Sequence, residues 1–157
     1  MSDREKIIKE QLSFAETDTI CFFSPDSQEL RDLQKKEWAP VIGHINAFGC
    51  NFKATEGLEA QKLSEQTKCF LQERLNSFSD EKLSAFCAVS GGCRSVLLAL
   101  AVADGFLTAE QAFETAILEE RYHTLFWKED EDTRISKEGR KESVLQAAEK
   151  LKGCKNG

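Results

Sequence analysis

Two adjacent carboxylates, Glu119 and Glu120, stand in the run LEERYHTLFWKEDED over 118–132, and their setting invites a chemical reading. Paired carboxylates serve general acid–base chemistry when they face one another. On a helix, neighbouring residues point about 100° apart, so these two cannot form a facing dyad. The run keeps helical apolar spacing: Phe113, Ile117, Thr124 and Trp127 recur along one face with Glu120 in the series. Glu119 falls beside it with Ala116, His123 and Phe126. Such carboxylates either edge a solvated face, as acidic residues usually do, or anchor a partner protein.

The remaining candidates compose no catalytic constellation. His44 and His123 are far apart in the chain, and there is no GxSxG elbow or phosphate loop. Gly91-Gly92 precedes Cys93-Arg94-Ser95 where a phosphate loop would require lysine and a hydroxyl. The six cysteines, at 21, 50, 69, 87, 93 and 154, form no CxxC pair and show no metal-ligand rhythm. They read as reduced thiols of a reducing compartment, with Cys93 and Cys87 as small core residues rather than nucleophiles. The expectation is a non-enzymatic protein with no cofactor and no metal.

A chain of 157 residues suits one domain with a real core. The net charge of −6 and the lack of a basic stripe argue against nucleic acid or an anionic membrane as partner. The longest apolar run, VLLALAVA over 96–103, is too short to cross a bilayer, which takes roughly 20 residues. The N-terminal MSDREKIIKEQ alternates charge signs and carries no readable targeting signal.

What must position these residues is a succession of helices. Apolar spacing predicts a first helix over 2–14 and a second from Ser24-Pro25-Asp26 to about Gly49, with a kink or junction at Ala39-Pro40. The TICFF run at 19–23 reads as extended or as a tight connection, and Cys50–Lys53 as a short extended piece. A third helix follows Ser64, and a fourth runs from Leu83 through Ala101 with Gly91-Gly92 weakening its middle or breaking it in two. Gly105 caps that helix, Thr108 with Gln111 opens a fifth over 109–127, and a sixth spans 135–151 before a frayed tail at 153–157. The acidic run 129–132 either starts the last helix or faces basic groups. The fold class is therefore mainly α, a single helical domain of about six helices over 1–157, with at most a short extended segment.

Four motifs in order, TDTICFF (17–23), LQKKEWAPVI (33–42), RSVLLALAVADGFLTAEQAF (94–113) and LEERYHTLFWKED (118–130), resemble one family. They are similar to the C-terminal helical domain of the chaperone that attends the alpha subunit during assembly of the catalytic head of ATP synthase, the Atp-twelve family. The resemblance covers the chain from about Ile7 onward. It implies a mitochondrial matrix assembly factor, without enzymatic activity or cofactor, that holds the free alpha subunit until the beta subunit replaces it. It also implies partner-binding roles for Glu119 first, then Glu120, and for the two tryptophans, Trp127 and Trp38. By burial preference alone, Trp127 on an apolar face would be a core residue.

Family members commonly have Trp-Asp-Pro where Trp38-Ala39-Pro40 stands, glutamine at the place of His123, and Trp-Gly at that of Trp127-Lys128. They also carry a β-rich domain ahead of the helical one, which the resemblance places outside this chain. The alternative expectation is a permanent subunit or adaptor of a larger mitochondrial complex, ATP synthase among the candidates.

Overall fold

The octapeptide VLLALAVA decides the architecture, because a helix apolar on every side must be enclosed by others. In the computed structural model, which describes residues 2–57 and 59–153, this segment is α5 (Val96–Ala103), and every residue from Val96 to Val102 is buried. Around it stand α1 (Asp3–Glu16), α2 (Gln28–Asn46), α4 (Asp80–Cys93), α6 (Ala109–Ala116) and α8 (Glu131–Gly153). Two further helices lie outside this ring: α3 (Glu65–Asn76) packs on α1, and the short α7 (Leu118–Thr124) packs on α2. Apart from Gly153, which closes α8, the expected frayed tail lies outside the described residues.

Hydroxyl caps start most of these helices. Ser2, Ser27, Ser64, Ser79, Ser95 and Thr108 each accept the amide of the residue three positions on. At Thr108 the Gln111 side chain returns the bond, completing the expected capping box. The second helix begins after Ser27, not at Pro25-Asp26, because the Ser27 hydroxyl reaches the Leu30 amide. It then runs unbroken through Pro40, so there is no junction of two helices there. The acidic run starts the last helix: Asp130 accepts the Thr133 amide at 2.7 Å, and Glu131 and Asp132 occupy the first turn.

Among the described residues eight α-helices stand where about six were expected, since two long predicted helices are each divided. The fourth divides at Arg94, in the left-handed conformation (φ 54°, ψ 35°), rather than at the glycine pair, and Ser95 restarts the chain as α5. The glycines have a packing reason instead. A Cβ on Gly92 would stand 2.2 Å from the buried Val144 of α8, so glycine there lets α4 and α8 close on each other. The fifth divides at Ile117, leaving α6 and α7 as separate pieces with no side-chain cap between them. Gly105, at φ 76°, ends α5: its amide bonds the Val102 carbonyl and that of Phe106 reaches Ala101, a left-handed helix stop.

The TICFF run is a tight 3-10 turn over Thr19–Cys21 followed by extended backbone, with Phe22 bridging Thr55 in parallel. The Phe23 amide bonds the Thr55 carbonyl at 2.8 Å. Asp18 secures this turn to the core. Fully buried, it accepts from the Ile20 amide at 3.2 Å, from the Ser95 hydroxyl at 2.7 Å and from the Leu97 amide at 2.9 Å, so one carboxylate caps both the turn and α5.

Candidate partner-binding surface

The carboxylates of interest lie in the first turn of α7, where negative charge suits the helix dipole, and only Leu118 of that helix is buried. Glu119 is exposed at the surface, yet its Oε1 accepts a hydrogen bond from Gln34 Nε2 at 3.0 Å. Gln34 is wholly buried on α2, and its own Oε1 accepts the Ser24 amide at 2.7 Å. The amide therefore fixes the position of the carboxylate without neutralising it. Glu119 enters no ion pair among the described residues, so its charge stays available to an incoming cation.

Glu120 is differently employed. It pairs with Arg140 of α8 at 3.4 Å, and that guanidinium also lies 5.3 Å from the centre of the Phe113 ring. A shallow cavity of about 270 Å³ lies beside the pair, lined among others by Asp132, Ser136 and Lys137. Glu120 thus ties α7 to α8, and the adjacent carboxylates serve separate ends, as their angular separation requires.

Two more α7 residues hold the helix in place. Arg121 donates to Glu37 Oε1 at 2.6 Å and to the Glu114 carbonyl at 2.9 Å. The Tyr122 hydroxyl lies 3.3 Å from Ser27 Oγ, and its ring meets Phe126 edge-on at 5.3 Å. Beyond α7 the chain presents Leu125, Phe126 and Trp127 at 70, 60 and 73 % exposure, with Ile135 of α8 also exposed. Three consecutive large apolar side chains in solvent, in the same chain segment as a held but unpaired carboxylate, have the chemistry of a protein-contact surface.

The tryptophans part company. Trp127 is at the surface, against its burial preference, because α7 ends at Thr124 and the predicted apolar stripe does not continue. Trp38 is wholly buried in the core, edge-on to Phe23 at 5.9 Å, with its indole N–H bonded to the Thr115 carbonyl at 2.8 Å. It offers no surface to a partner and instead locks α2 against α6. The spacing argument missed Gln34, Leu125 and Phe126. The LFW triplet was the available signal, since three successive residues cannot all enter one helix face.

Cys93 and Cys21 are buried, and burial pushes both thiols up to about 12, far from thiolate chemistry at neutral pH. Among the described residues no cluster of histidine, cysteine and carboxylates could hold a metal ion, and no helix is long and apolar enough to cross a membrane.

A family model for the ATP12 chaperone protein matches residues 1–46. The mitochondrial protein atp12 of Schizosaccharomyces pombe is 27 % identical over 154 residues, covering 93 % of this chain and 53 % of its own length. The crystal structure of Atp12 from Paracoccus denitrificans superposes with a TM-score of 0.87 at 18 % identity, over 94 % of this chain and 64 % of that one. The chain is thus similar to ATP12 chaperones in sequence and in fold. Its fold is also similar to that of Atu1473 from Agrobacterium tumefaciens, a candidate chaperone, with a TM-score of 0.85 at 25 % identity over 97 % of this chain and 57 % of that one. The chain spans about half the length of the curated ATP12 relative it matches.

Proposed function

We propose that this chain is a member of the ATP12 family and acts in the mitochondrial matrix as a non-enzymatic assembly chaperone, binding the free alpha subunit of ATP synthase while the catalytic head is built. One observation carries the reading: the Glu119 carboxylate is held by buried Gln34, has no counter-ion among the described residues, and precedes exposed Leu125, Phe126 and Trp127 by about two helical turns of the same segment. A chaperone for a subunit interface must cover apolar surface and still reject wrong partners. An apolar contact area supplies the first, and a fixed charge beside it supplies register and rejection. Similarity to ATP12 chaperones in sequence and fold supports the same assignment.

The test is capture of purified alpha subunit by the wild-type chain and by Glu119→Lys. The substitution places a cation where a cation is expected to dock, so capture falls at least tenfold. Because Glu119 is exposed, helicity and melting temperature stay within about 2 °C of wild type. Equal capture by the variant, or a variant that unfolds, removes Glu119 from the binding role. Recovery of the chain in fixed stoichiometry with intact ATP synthase would instead identify a permanent subunit.

A further inference from the structure

A second candidate surface lies away from α7, between α1 and α4. These helices are tied at both ends. Arg4 pairs with Asp80 Oδ1 at 2.7 Å near their starts, while Asp18, just beyond α1, accepts from Ser95 just beyond α4. Between the ties α1 rests on α3 and α5 and stands off α4, leaving a half-open slot of about 780 Å³. Its α4 wall carries Leu83 and the small residues Ser84, Cys87, Ser90 and Gly91, and a Cβ on Gly91 would meet nothing within 4 Å. Its α1 wall carries Ile7 and Phe14, both exposed although large and apolar.

One polar group in this slot lacks a partner. Gln11 is only 4 % exposed and lines the slot, yet its Oε1 receives no hydrogen bond. A buried polar atom without a partner costs about 1–3 kcal/mol, and the usual resolution is a group supplied from elsewhere. Charge is also divided along the slot. Asp3 and Glu10 line it from α1 and Arg94 lies at its far end, and none of the three is in an ion pair among the described residues.

We propose that this slot is a docking site for an amphipathic helix of a partner polypeptide, presenting an apolar face with one central amide side chain to meet that of Gln11. A helix fits better than an extended strand. An extended segment would bring a row of unpaired amides and carbonyls to walls that offer few matching groups, whereas a helix satisfies its own backbone. The small residues of the α4 wall admit a helix backbone closely, and the 14 residues each of α1 and α4 give a slot roughly 20 Å long, about four helical turns. The divided charge suits an occupant with a basic residue toward Asp3 and Glu10 and an acidic one toward Arg94. The site is independent of α7 and of the function proposed for it.

The test uses a fluorescein-labelled 14-residue helical peptide with a leucine face, a central asparagine, a lysine near one end and a glutamate near the other. Its twin carries leucine in place of the asparagine. By fluorescence anisotropy the wild-type protein binds the asparagine peptide about tenfold more tightly than the twin. Gln11→Leu removes or inverts that preference. Gly91→Leu, whose Cβ meets nothing within 4 Å and whose side chain narrows the slot, weakens both peptides at least tenfold while the protein melts no lower than wild type. Absence of binding, equal affinity of both peptides for wild type, or indifference to Gly91→Leu overturns the proposal. So does sedimentation showing self-association that Gly91→Leu abolishes, which would make a second copy the occupant. Glu119→Lys leaves peptide binding unchanged, so failure here is distinct from failure of the alpha-subunit reading.

Discussion

Asp18 is the side chain on which the turn and the central helix jointly depend. Burial raises its pKa from 3.8 to about 6 despite hydrogen bonds from Leu97, Ser95 and Ile20 that favour the charged form. A carboxyl group whose pKa is raised on folding binds its proton more tightly in the folded state. Its contribution is complete below about pH 4 and is lost as pH rises through about 6, a change of about 3 kcal/mol. The difference in denaturation free energy between wild type and Asp18→Asn should therefore change across pH 4–6 and level off above it; a parallel pair of profiles would contradict this. Arg94 is the second special residue. A non-glycine side chain in the left-handed region costs about 1 kcal/mol, so Arg94→Gly should raise stability by that order in urea denaturation. Neither role is readable from composition, because each depends on what stands opposite in space. Glu119 becomes a candidate through the order of the motifs around it, whereas Gln34, which holds it, comes from 85 residues away.

At the level of elements, some starts of helices were legible, those of α2 and α8 lay a few residues from the expected ones, and two of the breaks were not legible. Ser64 and the Thr108 and Gln111 pair announce helices by chemistry local to the chain. The breaks at Arg94 and Ile117 occur at residues with no breaker signature, imposed by the need to turn α5 into the core and α7 onto α2. The glycine pair separates two demands on α4. Gly92→Ala drives a methyl into Val144, and Val144 is buried and branched, so a loss of about 1–3 kcal/mol is expected. Gly91→Ala meets nothing within 4 Å and should gain about 1 kcal/mol from helix propensity. Thermal melts of the two single variants should move in opposite directions. Like signs would mean that the closeness of α4 and α8 does not decide this position.

For the whole molecule, the mainly helical single-domain reading follows from the spacing of apolar residues, and the central place of α5 from an octapeptide apolar on all sides. The candidate partner surface was less legible, since exposure of Leu125, Phe126 and Trp127 depends on α7 ending at Thr124. The two tryptophans occupy opposite environments, and this gives the protein two internal optical probes. Trp38, enclosed and bonded to Thr115, reports loss of the core through a red shift on denaturation. Trp127, open to solvent, is the indole that a small quencher such as iodide reaches in the folded state. In Trp38→Phe the remaining emission reads occupancy of the α7 surface: an arriving alpha subunit should shift it to shorter wavelength and shield it from iodide before any other signal changes.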